Sequence, residues 1–492
     1  MLGQVLLESL ARHGEAVALI DGDRRLSHRE VAEGALRWAR LLEARIAKGS
    51  NAPLALQLPN SADYAVIVTA LLLLGVPVLP VNPQWSPAEI ARSLGGQRLA
   101  GVLASRPSLA NWQTCPAFAS TPLLPLEELL EQFGQIEPLP PPVMDPALLE
   151  NRPALCLMTS GTTGEPKVVV RTHGNLLANA RQVGSALDWQ AGWRVLPVTP
   201  FHHANGFSNG MLLPLLRGCC VIVLRQFFPA TVTRLMRDPG VDVLVASPVV
   251  YQSLLASPDD ALALGNLRQA LSSGAPLPAD VCERAAAMGV GPIRELYGSS
   301  ETGTISIEPA RRTGAVRSAG IPVPGVEVAI LSDQGAVLPV GAVGLVGIRS
   351  PAVMQGYWTP GGLDPARSPQ GWYLTGDRGF LDPSGELHLQ GRVRAFINAG
   401  GNKVDPGEIE TLLQQIPGVV RGRVSGRPRS TGGEMISARV TVRPGCGLDQ
   451  SALLAALRPQ LAEYKLPRHF ELQEDDSPAL PDKHTSFQPG KN

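Results

Sequence analysis

Twice along this chain, short apolar runs alternate with longer segments of helical periodicity. Helical segments over 62–74 and 87–95 are interleaved with apolar runs at 54–58, 76–81 and 100–104. The alternation resumes with a helix over 174–187 and apolar runs near 194–199, 219–224, 241–246 and 269–273. A helix over 278–288 and a run at 293–297 close it. Strands buried on both faces read as continuous apolar runs, and strands alternating with helices pair in parallel. The expected fold class is therefore α/β with a mostly parallel sheet.

The segments outside these blocks have a different texture. Residues 16–20 and 24–26 flank Asp21-Gly22-Asp23 and predict a hairpin. Ser27-His28-Arg29-Glu30 is a capping box, and apolar Val31, Ala35, Leu36, Trp38, Ala39, Leu41 and Leu42 give the helix after it a buried face. Residues 120–153 carry Pro138, Pro140, Pro141, Pro142, Pro146 and Pro153, which predicts a stiff extended connection with little helix. Over 316–387, strands at 326–331, 343–349 and 386–390 separated by Gly and Pro predict a small β-rich subdomain. After Gly391-Arg392, a helix near 406–415, strands near 419–424 and 434–442 and a helix near 449–462 predict a compact α+β domain. A chain of 492 residues exceeds what one hydrophobic core fills, so two or more domains are expected.

Composition narrows the function classes. Lys+Arg and Asp+Glu both number 43, so nothing favours nucleic acid or an anionic membrane surface as partner. Residues 64–81 carry no charge, but Gly75, Pro77 and Pro80 break their second half, so a helix followed by a buried strand is expected rather than a membrane span. Glu8, Arg12, Glu15 and Asp21 interrupt any apolar region of a signal peptide. Six scattered cysteines without a Cys-x-x-Cys pair predict reduced, mostly buried thiols and a cytoplasmic protein. The His202-His203 pair has no third ligand nearby, so no zinc-type site is expected there.

Four stretches carry chemistry. Met158-Thr159-Ser160-Gly161-Thr162-Thr163-Gly164-Glu165-Pro166-Lys167 lies between apolar runs, which gives strand, polar glycine loop, strand. Glycines let backbone N–H groups approach an anion, hydroxyls add donors, and Lys167 adds a positive charge. It is not a Walker loop, because Gly161 and Gly164 are three apart and Val168 follows the lysine. Tyr297-Gly298-Ser299-Ser300-Glu301-Thr302-Gly303 follows a predicted strand. There, Ser300 suits a phosphate oxygen and Glu301 is a hard ligand for Mg²⁺, although a Ser-Glu pair also caps ordinary helices. Tyr373-Leu374-Thr375-Gly376-Asp377 is read as the end of another strand, with a carboxylate at a turn that suits a ribose or simply stabilises the turn. Pro200-Phe201-His202-His203-Ala204-Asn205-Gly206 follows the run at 194–199, and its histidine suits either an acyl pocket or the core.

Taken together and in this order, with Ser273-Gly274-Ala275-Pro276 and the stretch from Gly391 to Glu410, these motifs resemble the AMP-forming adenylating enzymes. That group includes acyl- and aryl-CoA synthetases, luciferases and the adenylation domains of peptide synthetases. The resemblance implies a large N-terminal domain over 1–393, made of two stacked α/β subdomains and a β subdomain, with a small mobile α+β lid over 394–492. It implies that ATP and Mg²⁺ bind between them. Thr159, Ser160, Gly161, Thr162, Thr163, Gly164 and Lys167 would wrap the β- and γ-phosphates. Gly274, Ala275, Pro276 and Tyr297 would flank adenine, while Ser300 and Glu301 hold the α-phosphate and the metal. Asp377 would bind the ribose hydroxyls, helped by Arg392, and His203 rather than His202 would border the carboxylate. A lysine of the lid would approach the reacting phosphate. Lys491, after Gly490, matches it, with Lys483 as the competing position in a longer loop.

Two departures from the family pattern are visible: Val168 replaces the usual glycine after the loop lysine, and Arg394 stands at the hinge. The implied activity is ATP-dependent ligation of a small organic acid through an acyl-adenylate. Asn205, Phe207, Ser208 and Asn209 after His203 include no Asp for an α-ammonium, so an acid without a free amine is expected. Gly400-Gly401-Asn402-Lys403 resembles the lid loop used for transfer to a thiol, either CoA or a carrier-protein phosphopantetheine. Transfer to an amino acid, as in coronafacate ligase, is the alternative. A non-catalytic nucleotide-binding scaffold is a third reading, opposed by the intact Lys167, Glu301, Asp377 and Arg392.

Overall fold

The computed structural model describes residues 2–46, 51–138, 140, 150–159, 167–309, 318–359, 362–368, 370–392, 396–429 and 433–474. The first alternating block forms an eight-stranded sheet. Its parallel part runs in the order Pro153–Thr159, Val78–Pro80, Leu54–Gln57, Gly101–Ala104, Leu123–Pro125. The helix Ala62–Leu74 is capped by Ser61, whose side chain accepts from the Tyr64 N–H, and is closed by Gly75 at φ 64°. It is buried on nearly every face against the helices Leu2–His13 and His28–Glu43, which explains why it carries no charge after Asp63 in its first turn. No described helix is long and apolar enough to cross a membrane.

The second block forms a nine-stranded sheet. Cys220–Ile222, Arg194–Pro197, Val243–Ala246, Gln269–Ser273 and Ile293–Ser299 are parallel, and antiparallel strands close both edges. The predicted N-terminal hairpin is present as Val17–Asp21 and Arg24–Ser27, and it joins this sheet by pairing in parallel with Cys220–Ile222. The capping box is also present, with Ser27 and Glu30 each accepting from the other's backbone N–H.

Two expectations need correction. The stretch 120–153 holds the helix Leu126–Phe133, whose Glu127 and Glu128 stabilise its N-terminal turn. Asp377 lies inside the strand Tyr373–Leu381 rather than at a strand end. Gly376, at φ 77°, bends the chain there without ending the pairing. Ser300 and Glu301 precede a strand, not a helix, and form the tip of a hairpin between Ile293–Ser299 and Gly303–Ile307. The β-rich part is a four-stranded antiparallel sheet of Glu327–Leu331, Gly344–Arg349, Tyr373–Leu381 and Leu387–Arg392. Between its strands, Gly356–Thr359 and Gly362–Asp364 leave it and extend the first sheet beside Lys167–Thr172.

Beyond Phe396 the chain builds a core of its own from Ile397, Ile409, Leu413, Ala438, Val440, Leu453 and Phe470, among others. Helices Pro406–Gln414 and Gln450–Leu457 pack with a three-stranded sheet of Val419–Pro428, Glu434–Val442 and His469–Glu474. Cys156, Cys219 and Cys220 are buried free thiols.

Candidate functional site

A cavity of about 700 Å³ lies where the two large sheets, the four-stranded sheet and the C-terminal unit meet. The C-terminal ends of parallel strands open onto it, supplying Val198, Ser247, Ser273 and Gly274. Open α/β sheets place ligand sites at these ends.

Thr159 and Lys167 are register partners at the close of the hairpin Pro153–Thr159 and Lys167–Thr172. The chain between them, with Ser160, Gly161, Thr162, Thr163 and Gly164, lies outside the described residues. Lys167 Nζ stands 4.9 Å from the centroid of the Tyr357 ring. The Tyr357 hydroxyl donates to Glu301 Oε1 at 3.0 Å and lies 3.2 Å from the Tyr373 hydroxyl. Burial, and then the Glu301 charge, raise the Tyr357 phenol well above its ordinary range, so it keeps the proton that it donates. Cation, ring and carboxylate thus form one stack on the wall of the cavity.

The Ser300–Glu301 tip is fixed from both sides. Ser299 N–H donates to Thr302 Oγ1 at 3.1 Å, and the Glu301 carbonyl accepts from Met354 N–H at 2.6 Å. Tyr297 donates to Asp377 Oδ2 at 2.5 Å. Both stand behind the wall formed by Gly298, Ser299 and Gly376. Asp377 is the register partner of Arg392 on the next strand. Gly274 lines the cavity at φ 94° with open space where a Cβ would sit, while Ala275 and Pro276 continue the turn away from the wall.

His203 lines the cavity and His202 does not. Burial pushes the His203 imidazole down to about 4, against a hydrogen bond with the Asn402 side chain that favours the protonated ring, with Lys403 acting in the same direction as burial. At neutral pH the ring is uncharged. Gly400, Gly401, Asn402 and Lys403 all line the same cavity, so the C-terminal unit reaches into it. Lys491, Lys483 and Arg394 lie outside the described residues.

Two neighbours were not singled out by sequence. Tyr357 gave no local signal, because only the pairing of Gly356–Thr359 with Lys167–Thr172 brings it to Glu301. Arg171 did have one: it is a charge in the run Val168-Val169-Val170-Arg171, on the same strand face as Lys167. It is fully buried, donates to the Ala352 carbonyl at 3.0 Å, and is lowered to about 10 by burial, against the attraction of Glu301.

The sequence profile of the family described as AMP-binding enzyme matches residues 6–358. A feruloyl-CoA synthase of an Amycolatopsis species is 31% identical, over 93% of this chain and 91% of its own length. The solved o-succinylbenzoate CoA synthetase of Bacillus subtilis, a double mutant, superposes with a TM-score of 0.85 at 25% identity, covering 97% of this chain and 96% of that one. The amide bond synthetase McbA of Marinactinospora thermotolerans superposes at 0.81 with 25% identity, covering 97% of each chain.

Proposed function

This chain belongs to the AMP-binding enzyme family, and from that premise we propose how its residues divide the work of an AMP-forming ligase. The activity has two steps. A carboxylate attacks the α-phosphorus of ATP and displaces pyrophosphate, and an acceptor then displaces AMP from the acyl-adenylate. A free carboxylate is a poor electrophile because its leaving group would be oxide; AMP is a far better one.

Both reactants of the first step are anions, so the site must offer positive charge and donors where negative charge builds. In our reading, Lys167 and the glycine loop hold the pyrophosphate portion, with Ser300 at the α-phosphate and Asp377 at the ribose. Neutral His203 donates to the acyl carboxylate without competing for its own proton. Glu301 suits Mg²⁺: it is a carboxylate facing the cavity, and among the described residues Tyr357 engages only its Oε1. One carboxylate together with phosphate oxygens is a common magnesium arrangement. When bound, the ion supplies Lewis-acid neutralisation of the phosphates.

For the second step we propose a thiol acceptor of the CoA type. The observation that carries this is the entry of Gly400, Gly401, Asn402 and Lys403 into the cavity beside His203. Gly400 and Gly401, at φ 61° and 93°, give a turn with no side chain, past which a slender thiol arm can reach the acyl carbon. In this reading the C-terminal unit is a lid that turns between half-reactions. Likeness to an amide bond synthetase supports an amine acceptor as the second reading. Mass spectrometry of products separates them. ATP, Mg²⁺ and mixed acids are offered with CoA in one reaction and amino acids in another. Acyl-CoA alone is the expected product, and amide alone overturns the thiol assignment.

A further inference from the structure

The short strand Gly356–Thr359 stands between Lys167–Thr172 and Gly362–Asp364, with Tyr357 opposite Val169 on one side and Asp364 on the other. It is held tightly, since a side chain on Gly356 would collide with the Asp364 carbonyl. The residues that lead into it tie two parts of the cavity wall together. On the side of the lysine strand, the Ala352 carbonyl accepts from Arg171 at 3.0 Å, and Gln355 N–H donates to the Val170 carbonyl at 2.9 Å. On the side of the hairpin tip, Met354 N–H donates to the Glu301 carbonyl and the Tyr357 hydroxyl donates to the Glu301 carboxylate. The stretch from Ala352 to Tyr357 thus holds Glu301 by main chain and side chain at once.

Tyr357 is where the two sides meet. Lys167, Glu301, Tyr357 and Tyr373 all line the cavity. An ionised carboxylate only accepts, so the phenol hydrogen of Tyr357 goes to Glu301 Oε1. The contact with the Tyr373 hydroxyl, 3.2 Å away, then uses the Tyr373 hydrogen. Both bonds fix the Tyr357 oxygen against Oε1 and leave Oε2 clear of it. The same ring lies under Lys167 Nζ, 4.9 Å from the centroid, and a ring face attracts an ammonium.

Resting on the ligase reading above, we propose that Tyr357 is a positioning residue for adenylation. Its hydroxyl turns Glu301 so that Oε2 is the oxygen offered to the metal, and its ring aims Lys167 at the pyrophosphate. A carboxylate oxygen that already accepts a phenol hydrogen is the weaker ligand of the two, so Glu301 is set to bind through one oxygen. Mg²⁺ is commonly held that way, whereas Ca²⁺ readily takes both oxygens of a carboxylate. Tyr357 therefore bears on which ion is held as well as on how tightly.

The test separates the hydroxyl from the ring. Mn²⁺ binding to enzyme saturated with α,β-methylene-ATP, which cannot release pyrophosphate, is followed by electron paramagnetic resonance, with Mg²⁺ and Ca²⁺ titrated as competitors. Tyr357→Phe is expected to weaken Mn²⁺ binding by about tenfold or more, the usual loss for a group that orients a metal ligand. It is also expected to narrow the preference for Mg²⁺ over Ca²⁺, while the KM for pyrophosphate in ATP–pyrophosphate exchange holds. Tyr357→Leu is expected to add a rise of about fivefold in that KM, the size of one lost cation–π contact. Unchanged ion affinity and selectivity in Tyr357→Phe overturns the inference. A fall of all these quantities together with the melting temperature, in both variants, assigns Tyr357 to the fold alone and overturns it too. In either case acid-dependent exchange by the wild-type enzyme keeps the ligase reading. Wild-type exchange that proceeds without any acid removes the ligase reading itself, and this inference with it.

Discussion

Lys465, in the short turn Glu463–Lys465, is ion-paired with Glu89 of the helix Pro87–Leu94, and neither side chain is more than 2% exposed. The same ammonium lies 3.1 Å from Glu408 and 4.4 Å from the centroid of the Trp85 ring. Trp85 in turn donates to the Tyr464 hydroxyl at 2.8 Å, and Arg92 donates to Gln460 at 2.8 Å. Burial opposes the charge on Lys465, yet Glu408 and Glu89 hold it above its ordinary range. Burial raises Glu89, with Lys465 pulling the other way. A cation from the C-terminal core is therefore locked onto a helix of the first sheet, in the arrangement that puts Gly400 to Lys403 in the cavity.

Removing that cation strands two carboxylates in a dry interface, and breaking a buried pair from one side costs about 3–5 kcal/mol. Lys465→Met is expected to weaken docking of the C-terminal unit in this orientation. Acyl transfer, followed by stopped-flow with preformed acyl-adenylate, should then fall tenfold or more relative to ATP–pyrophosphate exchange. If the two half-reactions fall together with the melting temperature, the cluster serves stability alone.

Tyr297 and Asp377 make the second long-range contact that bears on mechanism, at 2.5 Å across 80 residues of sequence. If Asp377 accepts both ribose hydroxyls, the wild-type enzyme should prefer ATP to 2′-deoxy-ATP. In Asp377→Ala the KM for ATP should rise by about tenfold or more and the preference should vanish, since hydrogen bonds to charged groups are worth about 1.5–3 kcal/mol. A variant that loses activity but still discriminates would move the ribose contact elsewhere.

Where local signal and tertiary demand agree, this fold is legible in its sequence. Ser27 and Glu30 announce a helix start that the structure keeps, and Ala62 to Leu74 reads as a buried helix because nothing charged interrupts it after the first turn. The helix Leu126–Phe133 is harder to see, because its eight residues precede a run of prolines whose stiffness dominates the composition. Asp377 reads as a turn because Gly376 marks one, whereas pairing with both neighbouring strands carries the strand to Leu381. The contact between Tyr357 and Glu301 spans 56 residues and two sheets, and no local pattern encodes it. Resemblance points to Lys167, His203 and Glu301 as cavity residues, and all three line it. Arg171 was written in the open as a lone charge among valines, and only its burial shows why it matters.

Acid should unfold this protein through its histidines. Burial lowers His28 and His173 to about 4, and His203 likewise. In the unfolded chain they titrate near 6.5. The native state therefore binds fewer protons between these values, so this contribution to stability is fully present above about 6.5 and is lost as pH falls towards about 4. For buried His28 and His173 the shift corresponds to roughly 3 kcal/mol each. Chemical denaturation at stepped pH should show stability falling steeply from about 6.5 to 4. His173→Gln, which cannot charge, should flatten the slope by close to one proton. An unchanged slope would mean that His173 is protonated in the native state.

If the C-terminal unit is a lid that carries the reacting lysine, as proposed, that lysine gives the sharpest test of how the two half-reactions are separated. The adenylation step needs a mobile cation at the α-phosphate, because the attacking carboxylate and ATP repel each other and that charge must be met only in the transition state. The transfer step has no such need, since its electrophile is already an adenylate and its leaving group is AMP. Lys491→Ala should therefore slow acyl-adenylate formation by on the order of 10²–10³, the usual loss for one preorganised donor, and leave transfer from preformed acyl-adenylate within a few-fold. Lys483→Ala should change neither step by more than a few-fold. If Lys483→Ala carries the adenylation defect instead, the reacting lysine lies eight residues earlier than the match to Gly490-Lys491 implies. If both variants lose adenylation only in part, the two lysines share the phosphate and the double variant should recover the full loss.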